Sequence, residues 1–183
     1  MLKITGGLFR GREIQSPGGA TRPTHAKLRS AWFNSLQGEI EGARVLDLFS
    51  GSGILGFEAL SRGAESVVFV EKDRGAIRVI LGNADALGVR DTIILVHGSF
   101  GRAKLDQYLF NLVFADPPYG EGLETQVLAA FADGRLILPG GKLCLETGKR
   151  TGSLPERQGG LVKTRDKIYG DSMLTTYVYV NNV

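Results

Sequence analysis

Arg44-Val-Leu-Asp-Leu-Phe-Ser-Gly-Ser-Gly-Ile-Leu-Gly56 decides how this chain folds. An apolar run of strand length, Arg44 to Phe49, passes straight into glycines spaced Gly51-x-Gly53-x-x-Gly56. A helical pattern follows from Ile54 to about Arg62 and stops at Gly63. A strand, a glycine turn and a helix in this order let the backbone pass close to a ligand. Glu71 ends the next apolar run, Ser66 to Glu71, twenty residues past Gly51. An acid at that position can accept hydrogen bonds from both hydroxyls of a ribose. Turn and acid together predict a nucleoside-containing cofactor at the carboxyl edge of a sheet.

The rhythm continues outward from this unit. A helix is expected from Asp73, its N-cap, to Leu87, ended by Gly88. Strands are expected at Thr92–His97, Asn111–Ala115 and Gly141–Glu146, with a helix at about Glu121–Ala132. Short apolar strands alternating with amphipathic helices specify an α/β, doubly wound, mostly parallel sheet with helices on both faces. Residues 148–160 read as a Gly/Arg/Pro-rich loop. Leu161–Tyr169 and Met173–Val180 then read as two strands joined at Gly170-Asp171, an antiparallel hairpin closing one sheet edge. Before the core, Ile4, Leu8, Phe9 and Ile14 are broken by glycines and predict a short β-hairpin. Thr24 is the expected N-cap of a helix carrying Leu28, Ala31, Trp32 and Leu36, with Trp32 and Phe33 as packing residues. The expected organisation is a basic hairpin extension over residues 1–23 and a Rossmann-like domain over 24–183.

A second motif lies behind the apolar run Phe110–Ala115: Asp116-Pro-Pro-Tyr119. Neither proline has an N–H to continue a ladder, and each fixes φ near −65°. The chain is held stiff just past a strand end, with a carboxylate before Pro117 and Pro118 and an aromatic ring after them. A carboxylate and a bare carbonyl can accept two hydrogen bonds from one amino group, and the ring can stack on a planar base. The alternative is an ordinary Pro-rich turn with an Asp cap.

The cofactor can be narrowed. Dinucleotide sites put a glycine directly behind the strand, where the helix N-terminus meets a pyrophosphate. Here Asp47 comes first, and an acid there repels a pyrophosphate but suits the ammonium of a methionine moiety beside a sulfonium. That favours S-adenosylmethionine over NAD. The alternative for Asp47 is a structural acid capping the turn's N–H groups. The first and fourth strands are neighbours in such folds, so the Asp47–Gly53 turn and Asp116–Tyr119 are expected to face one crevice.

Composition narrows the setting. The 183 residues are 43% apolar, with net charge +3 and a single cysteine, Cys144, expected to be a buried small hydrophobe. No stretch approaches the roughly 20 apolar residues of a membrane span. With no apolar signal core at the start, a cytoplasmic protein is expected. Residues 1–30 hold six Lys/Arg and one acid, residues 31–141 nine and fourteen, residues 142–183 seven and four. Basic residues thus collect at both ends, as a polyanionic partner requires. Lys3, Arg10, Arg12, Lys27 and Arg29 form the expected phosphate surface, with Arg150 and Arg157 as further contacts. His25 and His97 lack companions at ligand spacing, so no metal is expected.

Val45-Leu-Asp-Leu-Phe-Ser-Gly-Ser-Gly53 and Asp116-Pro-Pro-Tyr119 resemble the cofactor loop and amine motif of class I methyltransferases. Arg22-Pro-Thr24, Arg29 with Phe33-Asn34, Ser61-Arg-Gly-Ala64 and Lys167-Ile-Tyr-Gly170 resemble the RsmD family specifically. That resemblance implies a seven-stranded sheet and methyl transfer from S-adenosylmethionine to the exocyclic N2 of a guanine in small-subunit ribosomal RNA. It implies RNA within a 30S subunit or assembly particle as partner, no membrane, and a monomer. Asp47, Gly51 and Gly53 are implied on the methionine side, with Ser50, Ser52 and Lys72 flanking and Glu71 on the ribose. Asp116 and the Pro117 carbonyl are implied to accept from the guanine amine, with Tyr119 against the base. Arg22 and Thr24 match a segment that closes over cofactor or RNA. Where the family carries Gly-Asp after the third strand, this chain has Gly98-Ser99-Phe100. Ser99 is then the candidate for the adenine amine and Phe100 for its ring. A DNA adenine-N6 methyltransferase shares the Asp-Pro-Pro-Tyr clamp, and an NAD-dependent oxidoreductase shares the glycine spacing; both remain alternatives at this point.

Overall fold

A computed structural model describes residues 1–18, 26–118 and 120–181. The chain divides into two units, Met1–Ala103 and Lys104–Val183.

The first unit begins with β1 (Leu2–Lys3) and β2 (Glu13–Ile14), which pair antiparallel, Leu2 opposite Ile14. Then come α1 (Ala26–Ser35), β3 (Arg44–Leu48), α2 (Ile54–Ser61), β4 (Ser66–Glu71), α3 (Arg74–Leu87) and β5 (Ile93–His97). Strands β3, β4 and β5 are parallel, with β4 in the middle. Val45 to Leu48 and Val67 to Glu71 are buried without alternation, the pattern of strands covered on both faces. β5 is only half-buried, as an edge strand is. Helix α3 has the ends its sequence predicts. Asp73 accepts from the Ala76 N–H at 2.7 Å, and Gly88, at φ 72°, ends it with N–H bonds to Ala84 and Asp85 carbonyls. Its apolar stripe, Ala76, Ile80, Ala84 and Leu87, is buried.

All eight residues of α2 are buried, Glu58 included. One side of the helix lies on the sheet; a Cβ at Gly56 would overlap the Phe69 ring and meet Val67. The other side is covered by the N-terminal hairpin. The Leu8 N–H donates to the Ser61 carbonyl, the Phe9 N–H donates to Ser61 Oγ, and that hydroxyl donates to the Gly6 carbonyl at 2.6 Å.

The second unit holds β6 (Phe110–Ala115), α4 (Leu123–Phe131), β7 (Ile137–Gly148), β8 (Arg157–Gln158), β9 (Leu161–Tyr169) and β10 (Ser172–Tyr179). β6 and β7 are parallel; β7–β10, β10–β9 and β9–β8 are antiparallel. The seven long strands expected are present, three in the first unit and four in the second, and the two-residue β8 adds a rung at the edge. β7 runs four residues earlier than the sequence suggests. Leu138-Pro-Gly-Gly141 does not end the strand but forms an irregularity in it, the pairing moving from Phe110–Ile137 to Leu112–Lys142. The 148–160 segment is pinned rather than loose. Tyr177 Oη donates to the Pro155 carbonyl at 2.8 Å, and Lys163 Nζ reaches the Leu154 carbonyl at 2.9 Å and the Glu156 carboxylate at 2.6 Å. Burial pushes the Tyr177 hydroxyl up to about 12. Cys144 is buried mid-strand. No helix among the described residues is long and apolar enough to cross a membrane.

Candidate functional site

β3 ends at Leu48, and the next residue, Phe49, takes φ +60°, a left-handed conformation that costs a bulky residue about 1–3 kcal/mol. Strain of this kind persists where the surroundings hold it. Here Ser50 holds it from both sides: its hydroxyl donates to the Asp47 carbonyl at 2.6 Å and reaches the Val70 carbonyl at 3.1 Å. Gly51 and Gly53 follow at φ 54° and 77°. A Cβ at Gly51 would meet nothing within 4 Å, so the loop presents bare backbone to open space, as close ligand approach requires. A Cβ at Gly53 would instead strike the Phe57 ring at 2.8 Å. The first of these glycines gives access; the second gives packing.

Glu71 braces the same loop. Its Oε2 accepts from the Gly51 N–H at 2.8 Å, and its Oε1 accepts from the Lys72 and Asp73 N–H groups, each at 2.8 Å. An ionised carboxylate offers about four acceptor positions. Three backbone donors leave one acceptor position, on Oε2. Asp47 is fully buried and its Oδ2 accepts from the Gly56 N–H at 2.9 Å, in the first turn of α2. The capping alternative weighed for Asp47 is thus a contact the fold makes. Ser52 is buried and offers its carbonyl to α3, whereas the Lys72 side chain is exposed. After β5, the Phe100 ring lies 5.7 Å from the Phe49 ring, centroid to centroid. Ser99, half-buried, anchors the turn there by accepting from the Arg102 and Ala103 N–H groups.

Two residues that sequence reasoning passes over tie down the N-terminal arm, Asn83 to this loop and Glu58 to α2. Asn83 Oδ1 accepts from the Gln15 N–H at 2.8 Å, while its Nδ2 donates to the Gln15 carbonyl at 3.0 Å and the Ser52 carbonyl at 3.2 Å. The signal was a polar residue on the buried stripe of α3. We expect Asn83→Ala to lower affinity for S-adenosylhomocysteine about tenfold, equivalent to 1.4 kcal/mol, by calorimetry; unchanged affinity would show that the arm and the loop are energetically separate. Glu58 is the second such residue. Its Oε1 accepts from the Thr5 N–H at 2.6 Å and lies 3.6 Å from Arg29 Nε, and its Oε2 lies 3.4 Å from Arg62 Nε.

That contact corrects one expectation. Arg29 is not a phosphate ligand: it is 1% exposed, pairs with Glu58 and donates to the Lys3 carbonyl at 2.7 Å. Burial pulls its guanidinium below the usual value, and Glu58 pushes it back up. Of the other basic residues named, Arg10 and Lys27 are exposed, Arg12 donates to the Ala86 carbonyl, and Lys3 pairs with Glu13 at the surface. Arg157 is exposed and donates to the Gly159 carbonyl.

In the second unit, Asp116 directly follows the buried end of β6 and is half-buried. Pro117 is buried and Pro118 exposed, so the stiff segment turns outward. Arg22, Thr24, His25 and Tyr119 lie outside the described residues.

The family described as "Conserved hypothetical protein 95" matches residues 2–178. The chain is 30% identical over 179 residues to ribosomal RNA small subunit methyltransferase D of Escherichia coli, covering 96% of this chain and 89% of that protein. The solved structure of yhhF from Escherichia coli superposes with a TM-score of 0.87 at 30% identity, over 98% of each chain. An RNA methyltransferase from Salinibacter ruber, solved in complex with S-adenosyl-L-homocysteine, shares the fold at TM-score 0.65 and 14% identity, covering 88% of this chain and 96% of that one.

Proposed function

The chain belongs to the RsmD family, and from that premise we propose that it transfers a methyl group to the exocyclic N2 of a guanine in small-subunit ribosomal RNA. It is a methyltransferase that uses S-adenosylmethionine. The observation that carries the reading is the Gly51 N–H bound to Glu71 beside an open glycine face, the cradle a ribose requires.

When bound, S-adenosylmethionine supplies a methyl carbon on a cationic sulfur, and the product sulfur is a neutral thioether. Glu71 would orient the ribose through its remaining acceptor position, and Phe49 and Phe100 would hold the base. The bare glycine backbone would admit the methionine chain.

The nucleophile needs more help than the donor. A guanine N2 lone pair is delocalised into the ring and attacks poorly. Asp116 and the Pro117 carbonyl each accept one of the two N2 hydrogens, which holds the amine and favours a pyramidal nitrogen. The new N–C bond then forms as the C–S bond breaks, and the nitrogen's extra proton passes to the Asp116 carboxylate or to water. Proximity and alignment can contribute about 7–11 kcal/mol to such a step. A target base leaves its stack at a cost of a few kcal/mol, and stacking on Tyr119 returns about 1–3 kcal/mol.

The experiment incubates the protein with labelled donor and three substrates: small-subunit particles, bare ribosomal RNA and double-stranded DNA. Nuclease digestion and mass spectrometry are expected to recover the label as N2-methylguanine from RNA. Label in DNA alone, or on another atom of the RNA, would reject the assignment.

A further inference from the structure

Strand register places a second feature of the second unit at the level of Asp116. Ala115 pairs with Leu145, Leu145 with Thr175, and Thr175 with Asp166, a single row across β6, β7, β10 and β9. The next row toward the carboxyl end of β6 reads Glu146, Leu174, Lys167, and the one after it Thr147, Met173, Ile168. Asp116 and Pro117 follow directly on Ala115, the last paired residue of β6, and so come next along the same direction. Three strand spacings of about 4.8 Å put Lys167 and Ile168 about 14 Å from the amine motif. Nucleotides stacked 3.4 Å apart cover that distance in about four steps.

This end of β9 has the chemistry of a nucleic-acid contact. β9 is exposed from Thr164 to Ile168, whereas its partner β10 is largely buried. Lys167 Nζ lies 5.2 Å from the Tyr169 ring centroid, which holds cation and aromatic together as one unit. Arg165 lies two residues back on the same face and is exposed. Among the described residues neither Arg165 nor Lys167 makes an ion pair. The acid between them, Asp166, faces the other side, where Lys163 and Thr175 hold it at 3.0 and 2.7 Å. Asp171 stands in the following turn. β8 pairs with β9 only at Leu161 and Val162, so the outer edge of β9 carries no further strand among the described residues.

The geometry points to Arg165, Lys167 and Tyr169 as a docking surface for the RNA strand flanking the target guanine. Lys167 and Arg165 take phosphates, and Tyr169 takes the face of a neighbouring base. The inference rests on the RNA-methyltransferase reading but uses residues outside the chemistry. It adds the C-terminal hairpin to the N-terminal basic residues expected to contact RNA.

The test measures binding of fluorescent small-subunit ribosomal RNA across a salt series, for wild type and for Lys167→Ala, Lys167→Arg and Tyr169→Ser. Melting temperature and S-adenosylhomocysteine affinity serve as controls for folding. Lys167→Ala is expected to weaken RNA binding about tenfold and to lower the log–log salt slope by about one. Lys167→Arg is expected to restore the slope, and Tyr169→Ser to weaken binding with the slope unchanged. In kinetics, KM for RNA rises while kcat holds. If wild type binds RNA and both Lys167→Ala and Tyr169→Ser match it, the surface is wrong while the function stands. Weakening seen with assembled particles and not with bare RNA would place a protein there instead and overturn the inference. Absence of RNA binding by wild type would reject the functional reading and this surface together.

Discussion

Asp116→Ala should reduce single-turnover methyl transfer by at least about 10²-fold, within the range of 10²–10⁴ typical when a positioned acid–base group is removed. Affinity for S-adenosylhomocysteine should stay within about twofold, because no cofactor contact is assigned to Asp116 and a 1.4 kcal/mol change is needed for tenfold. The reasoning is chemical. The amine has two hydrogens and needs two acceptors, and the Pro117 carbonyl supplies only one. Asp116→Asn is the sharper variant: it keeps the shape but replaces one acceptor oxygen with an NH2 group that points a donor at a donor. It should lose nearly as much rate as alanine. A variant of either kind that turns over near the wild-type rate would remove Asp116 from the mechanism.

How far the site was legible depended on whether its parts carry local patterns. The cofactor loop was legible because three signals coincide there: an apolar strand, glycines at fixed spacing, and an acid twenty residues on, which does reach back to the Gly51 N–H. β7 was only partly legible. Pro139 and two glycines look like a turn, yet a strand absorbs them as an irregularity once β6 lies alongside. β8 was illegible because two polar edge residues have no hydrophobic period to read. Arg29 shows the limit of charge counting. It stands among basic residues in sequence, but its partner is 29 residues away in a helix whose other members are apolar or small, and no local rule pairs them. The same applies to Asn83, whose partners lie 68 and 31 residues distant. The Asp116–Pro118 segment sits where its sequence predicts, directly behind a buried strand, because two prolines allow little else.

Glu58→Ala should cost about 3–5 kcal/mol of stability in chemical denaturation, as much as emptying an aromatic position of the core. Glu58 is 0% exposed and Arg29 1%, so removing the carboxylate takes a countercharge away from a guanidinium in a dry site and leaves a second cation, Arg62, that shared it. Solvent cannot repair that loss, and added salt cannot mask it, because screening acts on exposed charges. The contrast is Lys3–Glu13 at 3.3 Å, a surface pair whose removal should cost no more than about 1 kcal/mol. Burial also makes the effect non-additive. Once Arg29 is replaced by methionine, the case for an anionic partner weakens, so Arg29→Met with Glu58→Leu should cost less than the two single changes summed. The N-terminal hairpin reports the same event locally. Its Thr5 N–H is bound by Glu58 at 2.6 Å and its Lys3 carbonyl by Arg29 at 2.7 Å. In Glu58→Ala, hydrogen exchange at Thr5 should accelerate more than exchange in β3 and β4. Exchange rising equally across the whole unit would mean that the pair supports the core as a whole rather than fastening the hairpin to α2.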